Sequence, residues 1–189
     1  MAVVLVVGLA VVVFAIATYN GLVRLRVQAD TSWSDIDVQL KRRCDLVPNL
    51  VETVKGYAGH ERATLEGVVA ARNRAMSAVG PAQRAVAEGA LAESLRQLFA
   101  LAEAYPQLRA VESFTALQSS LASIEEALQN ARRYYNAVVR DFNTRIAQFP
   151  SNLIANAFAF RPREFFELDG PAEREVPKVT FGGGDGGGR

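Results

Sequence analysis

Residues that carry chemistry are scarce in this chain. It has one cysteine and one histidine. A single cysteine excludes an internal disulfide, and no Cys/His spacing builds a zinc site. A di-metal site in a helical bundle needs a Glu-x-x-His pair on each of two helices, which one histidine does not supply. Charge of one sign is lacking too. Lys and Arg total 21 against 20 Asp and Glu, for a net charge of +1. No basic field therefore marks the whole chain for nucleic acid. No glycine-rich phosphate loop precedes a helix. The run "FGGGDGGGR" (181–189) opens no helix and holds no Lys-Ser/Thr.

The N-terminal residues lack charge altogether. "AVVLVVGLAVVVFAIAT" (2–18) is apolar throughout, and as a helix it spans roughly 26 Å. Tyr19 extends it to the depth where tyrosine is favoured in membranes. Ala15-Ile16-Ala17 has the small-x-small form of a signal cleavage site, but the basic segment that opens a signal peptide is missing. An uncleaved anchor over 1–19 is the expectation, and a cleaved, secreted bundle is its rival. Arg24 and Arg26 follow the span, and only the α-amino group precedes it. The positive-inside rule then keeps the C-terminal side in the cytoplasm.

Half of the residues are hydrophobic, enough for a core, and most of the chain reads as helix. Leu22, Ala29, Trp33, Ile36, Leu40, Val47, Leu50, Val54 and Tyr57 form one stripe of three- and four-residue steps, with Arg26 and Arg43 filling the gaps. The stripe stays in register across Pro48, so the reading is one bent helix rather than two. Proline leaves the carbonyl of Cys44 without its helical donor. Asp45 and Asn49 flank the defect and are the expected side chains to satisfy freed backbone groups.

Gly56 and Gly59 leave open a turn before a second helix over about 60–77. "AVGP" (78–81) is a stop. A third helix follows over 82–104, with Val86, Ala90, Leu95 and Leu98 facing inward, and "YPQL" (105–108) breaks it. The seam Phe114, Leu117, Leu121, Ile124, Leu128, Ala131, Tyr135, Val138 and Phe142 predicts a long final helix. The fold class is all-α: an antiparallel four-helix bundle over 20–150 behind a transmembrane helix. Residues 151–167, "NLIANAFAFRPREFFE" within them, form an amphipathic segment. It docks on the bundle, the blander reading, or lies in the membrane interface. Residues 168–189 read as a flexible, glycine-rich tail.

Catalytic geometry is not expected. Cys44 and His60 would stand about 24 Å apart on one straight helix, too far for proton transfer. Glu125 and Glu126 are adjacent, so they point about 100° apart around a helix. No catalytic, metal or cofactor residue is assigned, and the chain is read as a non-enzyme. The candidate interaction residues are Arg42 and Arg43 beside the kink, and Phe158, Phe160, Arg161, Arg163, Phe165 and Phe166 after the last helix.

With these segments in hand, the chain resembles the LemA family of bacterial membrane proteins. The resemblance rests on "YNGLVRLR" (19–26), "WSDIDVQLKRRCDLVPNLVETVKGYAGHE" (33–61), "ARNRA" (71–75), "AEAYPQLRA" (102–110), "ARRYYNAVVRDFNTRIAQFPSN" (131–152) and "FRPREFFE" (160–167). Cys44 and "AVESF" (110–114) depart from the family pattern without disturbing the helices. The resemblance implies a bacterial inner-membrane protein with one span, its N-terminus outside and a cytoplasmic bundle. It names no reaction. The expected partners are lipid along residues 2–19, further copies of the chain, and a membrane or envelope protein, with no nucleic acid. The function expected is a non-enzymatic interaction or scaffold protein of the cell envelope. The alternative is an enzyme or small-ligand protein with a polar site in the core near Asp45, Asn49 and Tyr135.

Overall fold

The apolar N-terminus and the first stripe are one element. In the computed structural model, which describes residues 1–167, α1 runs without interruption from Ala2 to Ala58, with Pro48 inside it. The helices α2 (Arg62–Ser77), α3 (Pro81–Glu103), α4 (Pro106–Arg109), α5 (Glu112–Ala147) and α6 (Ser151–Ala157) follow. All six elements are helices, and no strand occurs among the described residues. The tail expected over 168–189 lies outside them.

The turn left open at Gly59 is there, closed by the Glu61 N–H donating to the Ala58 carbonyl at 3.0 Å. At the next break Gly80 has φ of +80°, a conformation that favours glycine, and Pro81 then starts α3 with its φ already helical. The α1 stripe packs on α5. Along that pair Arg43 meets Glu125, Trp33 meets Tyr135, and the Arg145 guanidinium lies beside Gly21. Numbers rise on one helix as they fall on the other, so the pair is antiparallel. Helix α2 packs on α1 and on α3.

Three apolar clusters run along the molecule. The first joins Val47, Leu50 and Val54 to Leu65, Val68, Leu95, Leu98, Leu108 and Phe114. The second centres on Ile36, Leu40, Leu128, Tyr135 and Phe166. The third, nearest the apolar span, holds Leu22, Phe142, Ala155 and Phe160.

Two register readings are corrected here. Val86 is 76% exposed and Ala90 is also outside, while Ala85, Glu88 and Leu91 face inward. The true inward face of α3 carries a carboxylate, which an apolar pattern passes over. At the end of α1, Ala58 is buried and Tyr57 is exposed, so the stripe slips by one residue at the turn. The α5 seam is as read, with Leu117 and Ala131 only partly covered.

Candidate functional site: the polar core and the docked arm

Arg43 sits on the apolar stripe, so its guanidinium enters the core. There it pairs with Glu88 of α3 at 3.5 Å and with Glu125 of α5. Glu88 is 1% exposed. Burial raises the Glu88 carboxyl above the ordinary glutamate range, and the Arg43 charge pulls it back. Near it, Arg84 of α3 pairs with Asp37 of α1 and donates to the Ala78 carbonyl at 3.2 Å. The two sets tie α3 to α1 and α5 through charge.

The carbonyl of Cys44, deprived of its helical donor by Pro48, has a partner from another helix. Arg72 of α2 donates to it from Nε at 2.8 Å. This is the role the sequence suggested for Asp45 or Asn49. A charged side chain held on a buried carbonyl is worth about 1.5–3 kcal/mol. In Pro48→Ala the helical N–H returns, so Arg72→Met should cost clearly less there than in the native chain. A double-mutant cycle by urea unfolding measures this. Equal costs in both backgrounds would disconnect Arg72 from the proline defect.

Beside Arg84 and Glu88 lies a half-open cavity of about 160 Å³, lined also by Asp37, Cys44 and Asp45. The Cys44 thiol is pushed up to about 11 by burial, with the Glu88 charge adding to it. A thiol so protonated at neutral pH is a poor nucleophile. Cys44 should therefore react with a thiol-specific disulfide reagent far more slowly in the folded protein than in denaturant at the same pH. Matching rates would mean an accessible thiolate. His60 is exposed in the turn after α1, apart from this cavity.

The second polar arrangement holds the chain after α6. Asn136 and Asn143 lie seven residues apart on α5 and use their amides in the same way. Asn136 donates to the Phe166 carbonyl at 3.0 Å and accepts from the Phe166 N–H at 2.9 Å. Asn143 does the same at residue 163, with both distances 2.9 Å. Each side-chain amide mimics one rung of a β-ladder. The Tyr135 hydroxyl donates to the Glu164 carbonyl at 2.9 Å, and Arg163 donates to Asp30 at 2.6 Å. Phe166 is fully buried against Trp33, with ring centroids 5.6 Å apart. Residues 160–167 of the expected amphipathic segment are docked on the helices, while Leu153 and Phe158 stay exposed.

The other candidate residues are divided between surface and interior. Arg42, Phe158 and Arg161 are exposed, and Phe165 is 37% exposed. Arg43, Phe160 and Phe166 are buried, and Arg163 is half-buried on Asp30. Asn136, Asn143, Arg72 and Glu88 were not foreseen. The seven-residue spacing of the two asparagines beside Tyr135 was the available signal.

The described residues form an all-α protein that opens on a helix long and apolar enough, by length and composition, to cross a bilayer and leads without a break into the packed body. The LemA family model matches residues 32–181, and the chain belongs to the LemA family. Among its relatives are Magnetosome protein MamQ 1 and MamQ 2 of Paramagnetospirillum magneticum. Each is 26% identical over 188 residues, covering 86% of this chain and 68% of the relative. Magnetosome protein MamQ of Magnetospirillum gryphiswaldense is 23% identical with the same coverage.

Proposed function

We propose that the protein is a membrane-anchored, non-enzymatic interaction platform of the bacterial envelope. In this reading α1, α2, α3 and α5 act as an up-and-down four-helix bundle on the cytoplasmic face of the inner membrane. The observation that carries it is the continuity of α1 from the apolar span into the core, which makes anchor and bundle one element. Thr18 is buried and Tyr19 packs on Phe158 and Phe160, so a chain cut after Ala17 would lose the span at the edge of a packed contact. The exposed Arg42 and Phe165 remain the residues offered to a partner protein or to a second copy.

Paired reporters fused after Arg189, one active only in the cytoplasm and one only outside it, test the topology. Cytoplasmic signal with an intact N-terminus by mass supports the platform. External signal, or a mature chain beginning at Thr18, overturns it in favour of a secreted bundle.

A second reading has the cavity beside Cys44 and Glu88 in its favour: a small polar ligand held in the core. The pairing of Glu88 with Arg43 and of Asp37 with Arg84 counts against it, since three of the five lining charges already have partners and only Lys41 and Asp45 remain. Native mass spectrometry of the purified protein separates the two readings by the presence or absence of a co-purifying small molecule.

A further inference from the structure

Helix α5 brings the chain back to the end of the apolar span, and large hydrophobic side chains of the turn and helix that follow stay exposed. Phe149 is 79% exposed, and Leu153 and Phe158 are each 59% exposed. All three belong to the turn before α6, to α6 itself or to its end. The buried face of α6 fixes their position, because Ala155 packs with Leu22, Phe142 and Phe160. The Phe158 ring stands 4.7 Å from Tyr19, the residue that closes the apolar span. Three exposed aromatic or aliphatic side chains are thus held at the level where α1 leaves a bilayer.

Cations lie at the same level. The Arg145 guanidinium would touch a β-carbon at Gly21 at 3.8 Å, two residues past Tyr19. Arg24 is exposed about 8 Å along the axis from Tyr19, by helical rise. Arg161 is exposed next to Phe160, whose ring also carries the Arg26 guanidinium at 5.4 Å. The headgroup layer on each side of a hydrocarbon core is about 5–8 Å thick, so these heights fall within or at the edge of it. Asp141 is the acidic neighbour, one turn before Arg145 and further from the span.

We propose that Phe149, Leu153 and Phe158 seat in the membrane interface beside the anchor, with Arg24, Arg145 and Arg161 facing anionic lipid headgroups. The occupant is the lipid surface itself. Apolar side chains lying at the acyl boundary under a rim of arginines are the arrangement that interfacial helices use. Here a seven-residue helix too short to bind alone is held at the correct height by its packing on α1 and α5. The inference rests on the reading of residues 2–19 as a membrane span.

The full chain, in a Cys44→Ala background, is reconstituted in phosphatidylcholine vesicles with and without phosphatidylglycerol. A bimane label is placed in turn at Leu153→Cys, Val7→Cys and Val86→Cys. Headgroup-depth nitroxide lipid should quench the label at 153, acyl-chain nitroxide the label at 7, and aqueous iodide the label at 86. Phosphatidylglycerol should deepen the quenching at 153, and Arg145→Gln with Arg161→Gln should remove that gain. If iodide quenches 153 while acyl-chain nitroxide still quenches 7, the interfacial seat is overturned and the span stands. If iodide quenches 7, the span reading falls and this inference falls with it. Quenching at 153 that ignores phosphatidylglycerol overturns the role of the arginines.

Discussion

Arg43→Met is expected to destabilise the protein by about 3–5 kcal/mol, because it strands Glu88 in the core. Glu125 is less affected, since its side chain is 37% exposed and can turn to water. The loss should depend on pH with a definite sign. Burial raises the folded-state Glu88 above its ordinary value of 4.5. Between the unfolded and folded values the native state holds the extra proton, so stability falls as pH rises through that window. Removing Arg43 takes away the charge that holds the carboxyl down, and the window extends upward. Urea unfolding should show a larger cost at pH 7 than at about pH 5. Replacing both Arg43 and Glu88 by methionine should recover most of it, since a packed apolar pair rivals a buried ion pair. A cost below about 1 kcal/mol, or one flat with pH, would mean that the pair is solvated.

Phe166→Ala is expected to remove about 3–5 kcal/mol from the hold on residues 160–167, the usual cost of emptying a buried phenylalanine site. Phe166 is fully covered, stacks edge-on to Trp33, and has its backbone clamped by Asn136. The ring belongs to the same cluster as Ile36, Leu128 and Tyr135. Two readouts separate local from global effects. Trypsin should cut after Arg163 faster in the variant, because Arg163 is held by Asn143 and Asp30 only while the arm is docked. If the arm detaches alone, the unfolding midpoint of the helices stays in place. If they loosen together, the midpoint falls as well. A variant unchanged in both respects would show that the arm is held by its amide clamps and not by the ring.

The stripes of α1 and α5 were legible in the sequence because apolar residues keep their period, and the first half of α3, which buries a carboxylate, was not. Helix α5 could be read from Phe114 to Phe142 because each inward position is apolar or tyrosine. The continuity of α1 through Pro48 was legible for the same reason: the period survives the proline. On α3 Leu95 and Leu98 face inward as read, but the first half of its register was missed because Glu88 occupies the inward face, and its compensating charge lies on α1, 45 residues earlier. Arg43 on the apolar stripe was half of that signal, but a stripe does not say which helix holds the other half. The defect at Cys44 was predicted from Pro48, yet its donor comes from α2, a tertiary choice that local chemistry does not dictate. The aromatics of the arm were visible as candidates. Their division into buried Phe160 and Phe166 and exposed Phe158 depends on how the chain turns after α6.

The unbroken course of α1 makes the molecule a lever. With residues 2–19 in a bilayer, no slack linker separates the lipid from the far end near Ala58, about 58 Å from Tyr19 by helical rise. A span that tilts by about 10° to match a thinner bilayer swings that end sideways by roughly 10 Å. In that arrangement bilayer thickness would set the reach of the surface formed by α2 and α3.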